Sequence, residues 1–300
     1  MKGFLRNPAR ASLVIMLLVA AWCVLGASAP DRGRSSKKQK TDAIRTALTV
    51  LMDLPSGRRV ISNMMLRWQL PDEEAVAGIF KWGNVSKTDA VLTRHFDPET
   101  GREQRERLVT IYIKRGQSKA DLVLDVAHEL THAASGPQWD PYDPELTAAR
   151  YVWISLEGDG GEIDALITEC RVAGELGIVR GATAARCMRY RVSEEPALAR
   201  DRIREDLYRV GSARNRLVRM LGLDVELFPF LSDRVPRLFS STGNAPYPLA
   251  LAEEYDELTR IACSNSEKRL ARINGRDPAS ATDLAKKITS FFLARRCRGV

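Results

Sequence analysis

The chain has 300 residues, of which 44% are apolar and 28% charged. Those proportions exclude a disordered chain, and the length allows one large domain or two smaller ones with ample core. The formal net charge of +8 raises nucleic acid, an acidic membrane surface or an anionic envelope polymer as partners, but no Lys/Arg block with interleaved aromatics stands out, so the excess reads as a solvated surface.

The amino terminus carries Lys2, Arg6 and Arg10, followed by an uncharged run of apolar and small residues from 11 to 29. A basic start and such a run read as a signal peptide or a signal anchor, with the bulk of the chain exported. Ala27-Ser28-Ala29 resembles a cleavage site; Pro30 hinders a cut after Ala29 and leaves cuts after Ala27 or Ser28. Cys23 follows Trp22, a poor context for lipid attachment. Membrane contact is expected only through residues 11–29, if they are retained. Nucleic acid is not expected as a partner of an exported chain.

Residues 30–40 are polar and basic and read as a linker. Ile44, Leu48, Leu51 and Leu54 then recur at helical spacing, and Pro55-Ser56-Gly57 breaks that helix. A second helix carries Val60, Ile61, Met64, Met65 and Trp68, and a third opens at Pro71 and ends near Gly83. Residues 88–96 and 107–113 are β-branched and aromatic, with a turn-like DPETGRE between them, and predict a β-hairpin with a long loop.

Ser118-Lys119-Ala120-Asp121 is a capping-box pattern, so a helix is expected from there to about Ala134. Pro144-Glu145 opens the next helix, and the acidic, Gly-rich stretch 157–165 marks a tight bend into another that reaches Gly177. From about 180 the sequence is Arg-rich amphipathic helix, clearest at 194–210, 212–221, 248–263 and 280–296, with a Pro-containing loop at 222–247 and a second capping box at Ser280–Asp283. Cys170, Cys187, Cys263 and Cys297 are an even set for an oxidising compartment, and the pairing Cys170–Cys187 with Cys263–Cys297 is favoured because each pair flanks a plausible helix turn.

The chemistry concentrates in the helix after Ser118. It contains His128-Glu129-Leu130-Thr131-His132, which uses two of the chain's three histidines. Residues four apart sit one turn above each other, so His128 and His132 can offer two imidazoles to one metal ion. Glu129 lies beside the first ligand and is placed to take a proton from water on the metal's open side. A catalytic zinc usually has three protein ligands. His95 lies upstream in the hairpin, and no Cys lies between 30 and 127, which argues against a peptide deformylase. The third-histidine position of the metzincins is Gln138, which argues against that clan. Glu157, Asp159, Glu162 and Asp164 remain as candidates. Glu162 is favoured because it opens a helix with an apolar face, and Ala165 is small enough to let that helix approach closely. For second contacts to the histidines, Asp125, Asp159 and Asp164 are candidates, and for polarising a substrate carbonyl, Tyr142, Tyr151 and His95.

Over residues 107–175 the chain resembles the gluzincin branch of the HExxH zinc metallopeptidases. It departs from that branch at Leu166, where an acidic partner is often found four residues after the ligand Glu. The resemblance implies an α+β, predominantly helical fold. Its zincin-like core would span 41–180, with a short hairpin or sheet before the motif helix, and a helical region 181–300 would pack on that core. It implies Zn2+ held by His128, His132 and Glu162, with Glu129 as general base. It also implies an extended protein or peptide substrate, with the peptide part of a cell-wall polymer included, pairing with the strand near 108–113. The alternative is a non-catalytic envelope scaffold or interaction protein built on the same core, which zinc content separates from the enzyme.

Overall fold

In the computed structural model, residues 32–96, 103–136, 138–241, 245–274 and 282–297 are described. Residues 1–29, read from the sequence as a signal peptide or anchor, and the cap residues 280 and 281 lie outside them. Helix α1 (Arg32–Asp53) starts well before the expected residue 42, so the backbone read as a polar linker is helical from Arg32. From Ala43 onward the chain forms one compact unit. Ile44, Leu48 and Leu51 bury the inner stripe of α1. Pro55 then starts α2 (Pro55–Trp68), where its missing N–H costs nothing.

Asp72 caps α3 (Glu73–Gly78), its side chain accepting from the Ala75 amide. That helix stops at Gly78 rather than near Gly83. The residues beyond it form a short strand, β1 (Phe80–Gly83), which the helical reading missed. The expected hairpin is β2 (Lys87–Phe96) against β3 (Glu103–Lys114), antiparallel, with Thr88 opposite Ile111. β1 pairs parallel with Ile111–Lys114, so the order is β1-β3-β2. β3 is therefore the central strand over Ile111–Ile113. Of the stretch 108–113 expected to pair with a substrate, Ile111–Ile113 is already paired on both flanks, whereas β1 does not extend along Leu108–Thr110. Among the described strands, β1 and β2 are the edges, each with a neighbour on one side only.

Helix α4 (Lys119–Ser135) is capped by Ser118, which accepts from the Asp121 amide at 3.1 Å. Val126, Leu130 and Ala133 are buried, while Ile111 and Ile113 of β3 face the same core. Helices α5 (Ala148–Glu157) and α6 (Glu162–Glu175) follow; α5 is capped by Thr147 and starts later than Pro144. Then come α7 (Ala182–Tyr190), α8 (Pro196–Leu207), α9 (Arg214–Leu221), α10 (Tyr247–Asn274) and α11 (Thr282–Arg296). The described chain is thus predominantly helical with one three-stranded sheet.

Two large apolar cores result, beside a small third cluster of Ala262, Cys263 and Phe292. The first holds α1, α2, β1, β3 and α4; the second holds α5, α8, α9 and the start of α10. Helix α6 serves both, giving Val172 and Ala173 to the first and Ile163, Leu166 and Cys170 to the second. Ala165 is fully buried where α6 lies on α4. The cysteines pair as Cys170–Cys187 and Cys263–Cys297, the favoured connectivity. No helix among the described residues is long and apolar enough to cross a membrane.

Leu130 is fully buried on the core side of α4, whereas Leu66 on α2 is 82% exposed. Leu130→Ala is expected to lower unfolding free energy by about 3 kcal/mol through lost transfer energy and the cavity left behind. Leu66→Ala should cost less than about 0.5 kcal/mol. Urea denaturation of the two variants checks the contrast, which disappears if α4 is not the core helix.

Candidate metal centre

The seam between the two cores brings the expected ligands together. His128 and His132 stand one turn apart on α4 with ring centroids 5.0 Å apart. Glu162, in the first turn of α6, faces both. Its Oε2 lies 3.4 Å from His128 Nε2, and its Oε1 lies 3.6 Å from His132 Nε2. The nitrogens and the carboxylate lie within 4.8 Å of one another. A tetrahedral zinc with its usual bond lengths has ligand-to-ligand edges of about 3.3 Å, so the spacing suits one small cation. Glu162 Oε2 is buried and lacks a hydrogen-bond donor. An orphaned buried carboxylate oxygen facing two imidazoles is what a cation-binding pocket requires.

The outer nitrogen fixes the tautomer of the His132 ring. His132 Nδ1 lies 2.7 Å from the Gly160 carbonyl. A carbonyl only accepts, so Nδ1 carries the proton and Nε2 presents its lone pair. His128 Nδ1 lies 3.4 Å from Glu169 Oε2, and the other oxygen of Glu169 is ion-paired with Arg186 of α7. Burial raises the affinity of Glu169 for a proton, but His128 and Arg186 outweigh it and hold the carboxyl below its usual range. Burial likewise works against charge on His128, yet Glu162 and Glu169 push its pKa well above the ordinary value. On Glu162, burial is outweighed by His132, His128 and Tyr247, and the pKa is lowered. The three groups together favour positive charge in their midst.

Glu129 is buried on the same side. Its Oε2 accepts from Thr88 Oγ1 at 2.8 Å, and the same hydroxyl lies 3.0 Å from the Glu129 carbonyl. Burial raises its pKa, with His132, His128 and the Thr88 hydrogen bond acting against. Tyr247, the first residue of α10, is near enough to Glu162 to help hold that carboxyl's pKa down. Burial, then the Glu162 and Glu129 carboxylates, push its phenol well up, so it remains an O–H donor.

The remaining sequence candidates fall elsewhere. Glu157 pairs with Arg204 at 2.8 Å, and Asp159 is exposed. Asp164 accepts from the Gly160 amide at 3.0 Å and pairs with Arg200, so it steadies the loop whose carbonyl holds His132. Asp125 accepts from Ser86 and Gln117 instead of a histidine. Tyr142 lies under Arg94 and beside Phe292, and Tyr151 packs on Trp139 and Tyr255. The backbone of His95 pairs with Gln104, roughly 23 Å along β2 from Thr88 at about 3.3 Å per residue. Glu169, Arg186, Thr88 and Tyr247 are the members that sequence reasoning missed. Only Glu169 carried a usable signal: it lies two turns after Glu162, on the same face of the same helix.

No family model matches the chain, and neither the curated proteins nor the solved structures contain a match to it.

Gly160 is the tightest point of the bend. Its φ is +68°, and a Cβ there would come within 2.4 Å of the Ser135 Cβ. Gly160→Ala should therefore destabilise the fold by about 2 kcal/mol through strain and overlap. Ser135→Gly removes the nearest overlapping atoms, so the double variant should recover at least about 0.5 kcal/mol beyond additivity. Strict additivity in urea titrations would show that α4 and the bend are not in contact at this point.

Proposed function

We propose that this chain is an exported zinc-dependent metallopeptidase with a zincin-like core. The observation that carries the reading is the convergence of His128 Nε2, His132 Nε2 and the Glu162 carboxylate, whose buried oxygen lacks a donor. Zinc bound by these three residues would supply Lewis-acid polarisation of a peptide carbonyl and acidify water.

The protein's own groups do the rest. Glu129 has one oxygen fixed by Thr88, and burial raises its basicity. It takes a proton from the attacking water and delivers one to the leaving amine nitrogen. Tyr247 keeps its phenolic proton close to Glu162 and can serve as a donor to oxyanion charge. Glu169 and the Gly160 carbonyl keep both imidazoles turned with Nε2 inward.

Substrate pairing moves from β3 to β2. The Ile111 amide donates to the Ile79 carbonyl at 3.0 Å, on the β1 side. Its partner Thr88 is therefore at a non-hydrogen-bonded position of the hairpin, and the peptide groups of Thr88, Ala90 and Leu92 point outward. An extended peptide can add there by strand pairing, with its backbone beside Glu129. Export is supported by the basic and apolar start of the chain and by two disulfides compatible with an oxidising compartment. The substrate class is protein or peptide.

Purified protein is expected to hold about one zinc per chain, measured by atomic absorption. Glu129→Gln should retain that zinc while losing at least about 100-fold in cleavage of a labelled unfolded protein. Glu162→Ala should lose the zinc itself. Wild-type cleavage by Glu129→Gln would remove Glu129 as the base, and zinc without any cleavage by wild type would favour the scaffold.

A further inference from the structure

Helix α7 contributes one residue to the metal centre, Arg186, and contributes it weakly. Of its nine residues only Ala184 and Tyr190 are buried, and Met188 is 61% exposed. It is reached through Gly177 and Gly181, both at positive φ. Arg186 pairs with Glu169, but its Nε is buried without an acceptor. Neither apolar packing nor full hydrogen bonding pins this guanidinium. The covalent tether is close by: Cys187 follows Arg186, Cys170 follows Glu169, and the two sulfurs are joined. The bond thus ties together the two residues that back His128 Nδ1.

We infer that the Cys170–Cys187 disulfide is a positioning element of the metal centre, holding Arg186 on Glu169 and through it orienting His128. The inference rests on the metal reading given above. When the bond is open, α7 is free to carry Arg186 away, Glu169 loses its countercharge, and the His128 ring loses its fixed partner. A chain in a reducing compartment therefore has a weaker centre than the same chain after oxidation. The other disulfide, Cys263–Cys297, joins α10 to the residue after α11 and touches none of these groups. It closes a separation of 34 residues against 17, so opening it relaxes the unfolded chain at least as much. It is the internal control for a merely structural effect.

The test measures Zn2+ affinity by competition with a chromophoric chelator for wild type, C170A/C187A and C263A/C297A, together with the visible absorption of their Co2+ forms. C170A/C187A should bind Zn2+ at least about tenfold more weakly and show an altered Co2+ spectrum, while C263A/C297A stays within about threefold of wild type. Equal weakening in both pairs, or none in C170A/C187A, overturns the inference. A wild-type chain that binds no Zn2+ overturns the metal reading and this inference with it, which separates the two failures. If C170A/C187A does not fold, C263A/C297A is measured before and after treatment with a water-soluble phosphine. The phosphine gives two electrons to the remaining S–S bond and leaves as its oxide with the oxygen of water, whose two protons go to the thiols. The same loss of affinity on reduction is expected, and unchanged affinity overturns the inference.

Discussion

Two imidazoles and a carboxylate face one another at the seam of two cores, largely out of water. Taking such groups out of solvent costs several kcal/mol unless opposite charge compensates them. The surroundings are arranged around that constraint. Glu169 and the Gly160 carbonyl occupy the outer nitrogens of the rings, and the inner nitrogens face Glu162. The raised pKa of His128 and the lowered pKa of Glu162 express the same demand: positive charge belongs between them.

The position of the centre follows from how the helices share their apolar faces. α4 belongs to the first core, and most of the inner face of α6 belongs to the second. The histidines and Glu162 therefore come from elements anchored in different hydrophobic clusters, and a buried small residue, Ala165, lets them meet. A cation held by all three would bind only the arrangement in which both cores are formed and docked, and so would stabilise their junction. The Gly160 turn serves the same end. Its left-handed backbone brings the α5–α6 connection against Ser135 and aims a carbonyl at His132.

The parts of this architecture legible in the sequence were those with short-range rules. The Ser118 cap fixes the start of α4, the four-residue repeat puts both histidines on one face, and two β-branched, aromatic runs around a turn mark the hairpin. Glu162 was legible because it opens a helix after a glycine bend. β1 was not, because a four-residue strand directly after a helix has too little pattern to set against it, and its only partner lies some thirty residues on at Ile111. The full length of α10 was hidden by Ser264-Asn265-Ser266, residues that favour caps and turns in isolation. Burial of Ser266 and the Cys263 tether hold the helix together there. Tyr247 and Arg186 come from elements far along the chain, and a lone tyrosine or arginine carries no periodic mark of its task.

The same distinction explains the Arg-rich carboxyl half, whose purpose composition alone left open. Arg186, Arg200 and Arg204 pair with Glu169, Asp164 and Glu157, in reverse chain order. The segment from 157 to 169 is thereby relieved of three of its carboxylate charges by α7 and α8, and Asp159 is left to solvent. Glu162 alone is buried without an arginine or lysine beside it. A segment with five acids would attract cations diffusely and repel itself; a segment in which three are neutralised and one is solvated concentrates its remaining charge on a single carboxylate facing two imidazoles. These three arginines are thus engaged inside the fold, and they leave Glu162 as the carboxylate turned toward the two imidazoles.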